Sequence, residues 1–319
     1  MRVTSSVNSS ATSYIYMAIR RPNKPPTAAT EVFNVNYQAN GQTNVGFVPD
    51  TNIAFYPVGG DPWYWTTRLM GNKVLNSNNT SSQGTSIATY WNQPTNTINF
   101  GTYNSYYVNY VFRRAPGFHD VVTYTGNAST NNVSHNLQAV PELMIFKNRE
   151  ASVGWPVWFG DGSNICRLDL TNAKFDEGLN LNSTSATNIP ISSGNSSYNN
   201  NNVDYVVYLF ATLSGISKVG SYTGTGNAIN IDCGFSAGAR FVMIKRTDSA
   251  GDWYVFDTAR GIVSGNDPYV RFNSTDAQTT VRDYIDPLNA GFTVAADPGS
   301  PTNVLNASGG TYIFQACRS

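Results

Sequence analysis

The chain has 319 residues, with 20 basic and 20 acidic residues, and charged residues make up only 13% of it. A neutral chain with so few charges has no basic surface for nucleic acid or for an anionic membrane, so we expect neither partner. Its polarity comes largely from residues such as Asn, of which there are 38, and aromatic residues make up 13%. Asn favours turns and aromatic residues favour strands, so the composition predicts an all-β protein.

Three cysteines, Cys166, Cys233 and Cys317, are too few and too widely spaced for a disulfide framework or a zinc site. We interpret them as isolated thiols of a protein made in a reducing compartment. The N-terminus has no apolar run of signal-peptide length, and no segment approaches the roughly 20 apolar residues of a membrane span. Neither a P-loop nor a dinucleotide-binding glycine motif occurs. The sequence thus predicts cytoplasmic synthesis, no membrane insertion, no cofactor and no metal.

Residues 1–22 contain the run SYIYMAIRR at 13–21, which is typical of a strand. Similar runs close three longer segments, at 106–114, 203–211 and 310–318. One tyrosine marks the same place in all four runs: Tyr14, Tyr107, Tyr205 and Tyr312. Residues 1–22 are therefore predicted to be an orphan closing strand with a linker. The body of its repeat either precedes it in a longer protein or belongs to another subunit, whose sheet the strand completes.

Three copies of a repeat of about 100 residues follow, at 23–116, 117–216 and 217–319. The second and third copies align without a gap over ELMIFKNREASVGWPVWF (142–159) and RFVMIKRTDSAGDWYVFD (240–257). The first copy is divergent. Short apolar runs separated by turn residues predict that each copy is a β-sandwich or jelly-roll-like domain. The links between copies are short, so we expect this tandem array of about three domains to stack in a rod.

One tryptophan recurs at the same position of each copy: Trp63, Trp155 and Trp253. A large ring that returns in every copy, beside β-branched residues, is interpreted as a core residue. The alternative is a platform on which a sugar ring stacks, widened by neighbouring rings. The candidate ligand-binding residues of such a platform are Trp65, Trp158 and Tyr254.

Carboxylates near these tryptophans raise the possibility of an enzyme: Asp61, Glu150, Asp161, Asp248, Asp252 and Asp257. Two carboxylates at about 5–10 Å are the machinery of glycoside hydrolysis. The second copy lacks the pair Asp248 and Asp252, because it has Glu150 and Gly154 at those positions. We therefore predict no catalytic residues, and a glycan-degrading enzyme remains a remote alternative.

Four segments together carry a family resemblance: VVTYTGNAS (121–129), IKRTDSAGDWYVFDTAR (244–260), VRFNSTDA (270–277) and GGTYIFQA (309–316). Their combination resembles a repeated β-domain in virion proteins of tailed bacteriophages, especially marine phages and cyanophages, of the tail-fibre or tail-protein type. The resemblance covers nearly the whole chain, most closely the third copy, and brings no catalytic residues with it.

The resemblance implies a structural component of a virion, made in the host cytoplasm and acting by assembly and shape in a tail fibre or other external appendage. The implied partners are other virion subunits and further copies of the chain itself. A homo-oligomer is expected, and a trimer by analogy with fibres. The alternative function is a receptor-binding module that contacts a glycan or a protein on the host surface.

Overall fold

The computed structural model describes residues 24–38, 42–85, 96–99, 107–179, 181–192, 194–296 and 304–319. The regular structure of these residues consists of β-strands and two short 3-10 turns, Ala29–Glu31 and Arg68–Met70. The prediction of an all-β fold is therefore confirmed. The predicted orphan strand in residues 1–22, with Tyr14, lies outside the described residues.

Strand pairing divides the described chain into three units, because each sheet is built from the strands of one unit only. We call residues 24–116 unit 1, residues 117–216 unit 2 and residues 217–319 unit 3. Unit 1 contains β1 (Phe33–Gln38), β2 (Gln42–Asn44), β3 (Thr51–Phe55), β4 (Tyr64–Thr67), β5 (Lys73–Val74), β6 (Gly84–Thr85), β7 (Thr97–Asn99) and β8 (Tyr107–Phe112). Unit 2 contains β9 (His119–Thr125), β10 (Asn131–Ser134), β11 (Leu143–Asn148), β12 (Pro156–Trp158), β13 (Asn164–Arg167), β14 (Phe175–Asp176), β15 (Asn188–Ile191) and β16 (Asp204–Phe210). Unit 3 contains β17 (Ser217–Thr223), β18 (Ile229–Asp232), β19 (Ala239–Arg246), β20 (Trp253–Asp257), β21 (Val270–Arg271), β22 (Ile285–Leu288), β23 (Gly291–Val294) and β24 (Thr311–Arg318).

The main sheets of the three units share one antiparallel strand order. It runs β1-β8-β3-β4 in unit 1, β9-β16-β11-β12 in unit 2 and β17-β24-β19-β20 in unit 3. The closing strand of each unit therefore lies inside its sheet. Its tyrosine also holds a loop in units 2 and 3, where the hydroxyl of Tyr205 accepts from the Asn200 amide (2.8 Å) and that of Tyr312 from the Ala307 amide (2.9 Å).

A second, smaller layer covers the outer face of each main sheet. It consists of β2-β7 in unit 1, β10-β15 in unit 2 and β18-β23-β22 in unit 3. Each pair of layers encloses its own hydrophobic cluster, with Ile98 in unit 1, Ile189 in unit 2 and Phe292 in unit 3 among the fully buried members. Each unit is therefore sandwich-like.

The inner faces of the three main sheets meet in one central core. In β24, Ile313 and Cys317 belong to this central core, whereas Tyr312, Phe314 and Ala316 belong to the outer core of unit 3. Successive side chains of a strand point to opposite faces, so a strand that is covered on both faces needs apolar residues throughout. That double coverage explains why the strands of the repeat show little alternation of apolar and polar residues.

Three indole N–H groups close the units into a ring. Each bonds to a backbone carbonyl of a neighbouring unit: Trp155 to Asn76 (3.1 Å), Trp253 to Arg167 (2.8 Å) and Trp63 to Arg271 (2.9 Å). Unit 2 thus contacts unit 1, unit 3 contacts unit 2, and unit 1 contacts unit 3. Repeated head-to-tail contacts of this kind close when the rotation between units allows it. The expectation of a rod was therefore wrong.

A buried polar cluster strengthens the contact between units 1 and 3. The Tyr110 hydroxyl of unit 1 donates to the Asp257 carboxylate of unit 3 at 2.7 Å, and Asp257 also pairs with Arg260 at 2.6 Å. The ion pair is almost fully buried. A buried charge needs a partner in good geometry, and the two units together provide it here.

Candidate functional site

The ring interfaces have the same backbone frame, as those between units 1 and 2 and between units 2 and 3 show. The Gln83 amide of unit 1 donates to the Arg149 carbonyl of unit 2 at 2.8 Å. At the next interface the Lys174 amide of unit 2 donates to the Thr247 carbonyl of unit 3, also at 2.8 Å. Gln83 and Lys174 are therefore equivalent positions, and so are Arg149 and Thr247.

Side chains fill the interface between units 1 and 2. The Arg149 guanidinium donates to the Gln83 side-chain oxygen at 3.0 Å and lies 3.6 Å from the Asp204 carboxylate. The Arg149 side chain is only 13% exposed. Nearby, the 3-10 turn Arg68–Met70 packs against β9, and Met70 reaches the central core. The turn and Arg149 therefore both contribute side chains to this interface.

Smaller side chains leave the interface between units 2 and 3 open. Thr247 and Thr311, at the positions of Arg149 and Asp204, bond to each other at 2.8 Å. Lys174 turns away and pairs with Asp161 of its own unit at 2.5 Å. The segment Gly160–Gly162 replaces the 3-10 turn of unit 1. A cleft of about 590 Å³ results.

The walls of this inter-unit cleft are mostly apolar, with charges at the rim. The lining residues include Val140, Pro141, Glu142, Trp158, Asp161 and Lys174 of unit 2, and Ser221, Thr247, Thr311 and Tyr312 of unit 3. Glu142 accepts from the Thr212 amide at 2.6 Å, which ties the cleft wall to the link between the units. One cation and two carboxylates give the cleft a small negative charge.

The three rings predicted for a ligand platform lie in different surroundings. Trp65 is 1% exposed and sits where the units meet, with its ring 5.4 Å from that of Trp155 and 5.1 Å from that of Tyr208. Tyr254 is 7% exposed and packs against Tyr269 in unit 3. These two rings have no open face for a sugar.

Trp158 is the member of that predicted set that lies at the cleft. It is 4% exposed, and its indole N–H donates to the Gly162 carbonyl at 2.9 Å. The ring thus stiffens the turn at Gly160–Gly162 and presents little surface to the cleft. Its ligand-binding role stays a prediction.

The repeated tryptophans and tyrosines are buried in the described part of the chain: Trp63, Trp155, Trp253, Tyr107, Tyr205 and Tyr312. The backbone amide of each tryptophan is also held, by Asn78, Asp169 or Asn273. These contacts are what a core position requires. Tyr14, the remaining marker, lies outside the described residues.

Two buried lysines, which sequence reasoning left without a role, join neighbouring units. Lys147 donates to the Thr80 carbonyl of unit 1 at 2.8 Å, and Lys245 donates to the Thr171 carbonyl of unit 2 at 3.0 Å. Burial lowers the pKa of each ammonium group to about 8. Both lysines occupy the same position in the gapless alignment of the repeat, and this recurrence is the sequence feature that could have singled them out.

Most of the candidate carboxylates have structural partners. Asp248 pairs with Arg246 at 2.9 Å, and that hydrogen bond lowers its pKa to about 2. Asp252 accepts from the Asn273 amide at 2.6 Å, and Asp61 accepts from the Tyr107 hydroxyl at 2.5 Å. Asp161 and Asp257 form the ion pairs with Lys174 and Arg260, and Glu150 is exposed. These contacts supply each paired carboxylate with a role in the fold.

The described residues include His, Cys, Asp and Glu side chains, which are the usual metal ligands. There, no group of three or more His, Cys, Asp or Glu side chains is gathered in a way that fits a metal ion. Cys166, Cys233 and Cys317 are free and buried. Within the same residues, no helix has the length and apolar character to span a membrane.

A family model matches residues 72–318, which is most of the chain. Its description is "Domain of unknown function (DUF7483)". The chain belongs to this family. The matched region begins just before the unit 1 loop that contacts unit 2, and it contains the whole interface between units 2 and 3. Among curated proteins, none matches the chain.

Proposed function

We propose that this member of the DUF7483 family is a structural component of a bacteriophage virion, in a tail fibre or other external appendage, acting by assembly and shape. The observation that carries the proposal is the closed ring of three units around a shared core. A ring tied by buried contacts is a stiff body, which suits a load-bearing part. The sequence resemblance to tailed-phage virion domains points the same way.

The proposal includes the partners and the location. The chain is made in the host cytoplasm and ends in the virion, where it contacts other virion subunits and further copies of itself. Within one chain the ring already presents three related surfaces, which suits a partner with threefold symmetry. A trimer is thus one way to extend this symmetry, and light scattering at micromolar concentration tests self-association. A monodisperse monomer would remove this part of the proposal.

Electron microscopy of purified particles tests the location. An antibody against the chain, visualised with gold, is expected to label an external appendage at a fixed site on each particle. Particles that carry an unrelated appendage protein serve as the control. Absence of the chain from washed particles, while it is abundant in the infected cell, would rule out a virion role.

A second candidate, a receptor-binding module, is favoured by the inter-unit cleft. A concave, largely apolar surface with a few polar groups is the usual form of a binding site. The test is binding of the purified chain to intact host cells, compared with a variant in which the cleft is filled by Lys174→Gln/Thr247→Arg/Thr311→Asp. Loss of binding in that variant supports the module, whereas undiminished binding places the receptor contact elsewhere.

A further inference from the structure

Strand β17 forms one edge of the main sheet of unit 3 and borders the cleft. It pairs with β24 in continuous antiparallel register, so alternate residues turn their backbone groups away from β24. Ser217 and Val219 are two of these outward residues. Ser217 bonds to the backbone of Leu213, and Val219 bonds to the Thr212 hydroxyl.

The next outward residues, Ser221 and Thr223, have exposed side chains. No other described residue forms a hydrogen bond with their outward N–H and C=O groups. Ser221 lies in the cleft wall. Unpaired N–H and C=O groups on a sheet edge are a template for another strand. The cleft therefore contains backbone N–H and C=O groups that can pair with the backbone of another strand.

The equivalent edge strands of units 1 and 2 are contacted by a neighbouring unit of the same chain. In unit 2 the 3-10 turn Arg68–Met70 of unit 1 packs against the edge strand β9. In unit 1 the Val35 carbonyl of β1 accepts from the Arg240 guanidinium of unit 3 at 3.2 Å. Groups from a neighbouring unit of the same chain thus reach both of those edges. At β17 the corresponding segment, Gly160–Gly162, is a short turn, and no described residue bonds to the outward backbone groups of Ser221.

The opposite wall suits side chains of a peptide better than a sugar. Val140 is 52% exposed and lies beside the buried Pro141. Stacking on a sugar requires an open aromatic face. At the cleft, Trp158 and Tyr312 are buried, and the partly buried Phe159 packs against the central core. The cleft thus combines a free strand edge with an apolar wall, which is the arrangement used in strand addition.

We propose that the inter-unit cleft binds an extended segment of about four residues from a partner protein, which adds as a strand to β17 at Ser221 and Thr223. Alternate side chains of that segment, small and apolar, pack against Val140 and Pro141, because successive side chains of a strand alternate in direction. The inference concerns the cleft alone and holds whether or not the chain is part of a virion.

Peptides selected from a random 12-residue display library on the full chain provide the probe. Selected peptides are expected to carry small apolar residues at every second position. In synthetic versions, N-methylation of every second amide should weaken binding at least tenfold, and methylation of the intervening amides should change it little. This alternation is specific to strand addition, because only alternate amides face the edge. Uniform tolerance of N-methylation would overturn the proposal.

Two variants locate the binding. Lys174→Gln/Thr247→Arg/Thr311→Asp copies the residues that fill the interface between units 1 and 2, and it should weaken binding at least tenfold. Ser221→Pro removes one outward N–H and is expected to do the same, since proline is tolerated on edge strands. Thr123→Pro, at the equivalent position of the covered strand β9, is the matched control and should bind normally.

Three results would contradict the proposal. One is peptide binding that both cleft variants retain. Another is binding of a glycan array by the full chain that the filled variant loses, which would make the ligand a sugar. The third is self-association that the filled variant loses, which would make the occupant a second copy. Thermal unfolding of each variant shows whether a loss of binding comes from loss of the fold.

Discussion

The interface between units 1 and 2 and the interface between units 2 and 3 differ in side chains and agree in backbone. Both have the same main-chain hydrogen bond, at Gln83 and at Lys174, and both receive an indole N–H from the following unit. Arg149 fills the first interface, whereas Thr247 leaves the second open. The backbone frame maintains the ring, so the side chains at the frame are free to differ between interfaces.

The interface between units 3 and 1 satisfies the equivalent backbone carbonyl in a different way. At the other two interfaces a lysine side chain donates to this carbonyl. Between units 3 and 1 the carbonyl belongs to Thr275, and it accepts from the Gly60 amide at 2.9 Å. Phe55 occupies the lysine position and packs on Trp63, with their ring centroids 4.5 Å apart. A charged group is therefore one of two solutions to the same contact. The divergence of unit 1 in sequence is compatible with a conserved contact in space.

The largest expected effect comes from removal of an interface tryptophan. Trp155→Ala breaks the contact of units 1 and 2, and Trp253→Ala breaks that of units 2 and 3. Each should lower the free energy of unfolding by about 3–5 kcal/mol, because a buried ring is lost. Urea unfolding measures both. Trp155→Phe, which keeps an aromatic ring, is the control and should cost less. A loss below about 1 kcal/mol in the alanine variants would show that these rings are not core residues.

The buried lysines should make stability depend on pH. Their folded pKa of about 8 lies below the ordinary value of 10.5, so the unfolded chain binds more protons between these values. The lysines should therefore contribute a rise in stability with pH, about 2 kcal/mol per lysine from pH 8 to pH 10. The buried thiols of Cys166, Cys233 and Cys317 oppose this rise above about pH 9, because burial raises their pKa. Above about pH 10 the buried tyrosines act in the opposite direction. Chemical unfolding at several pH values tests the lysine contribution, because Lys147→Met/Lys245→Met should gain less stability, or lose more, than the unaltered chain between pH 8 and pH 10. The same pH dependence in that double variant and in the unaltered chain would show that the lysines do not contribute.

Exchange of the interface side chains should have smaller effects. Arg149→Thr copies Thr247 and should cost about 1 kcal/mol, because a partly buried hydrogen bond and an ion pair are lost. The same variant should open a second cleft, which a crystal structure would show. An unchanged, closed interface would mean that Arg149 is not what fills it.

The smallest effect is expected at the rim of the existing cleft. Lys174→Ala removes the ion pair with Asp161, in which both side chains are 39% exposed. Exposed pairs contribute between 0 and about 1 kcal/mol, so the melting temperature should barely change. Differential scanning calorimetry in low and high salt is the measurement. A large, salt-sensitive loss would show that the rim pair holds the two units together.

The sequence predicted the strands and their units better than it predicted their arrangement. Aromatic and Asn-rich composition indicates β-structure, and the repeat shows which residues recur. Trp155 recurs because it is buried between units, but its partners are the carbonyls of Asn76 and Asn79. Any residue provides a carbonyl, so these contacts leave no mark in the sequence. That is why a rod was expected where the units form a ring.

The residue difference that opens the cleft is present in the sequence of the repeat, but the sequence alone does not predict a cleft from it. The gapless alignment places Arg149 against Thr247, and the difference has no meaning until both are known to face a neighbouring unit. The hypothesis of a sugar-binding platform assumed that the large rings near the repeated tryptophan are exposed. Trp65 and Tyr254 are large rings near a repeated tryptophan, yet the sequence does not indicate that both faces of each main sheet are covered. With both faces covered, large rings on either side are buried.

The ring is tested most directly at the contact that a rod would lack, between units 1 and 3. Tyr110 and Asp257 are far apart in sequence and bonded at 2.7 Å across this contact. A double-mutant cycle with Tyr110→Phe and Asp257→Asn, followed by urea unfolding, measures their coupling. The ring predicts a coupling energy of about 0.5–3 kcal/mol, as for residues in contact. Strictly additive effects of the two substitutions would contradict the closed ring.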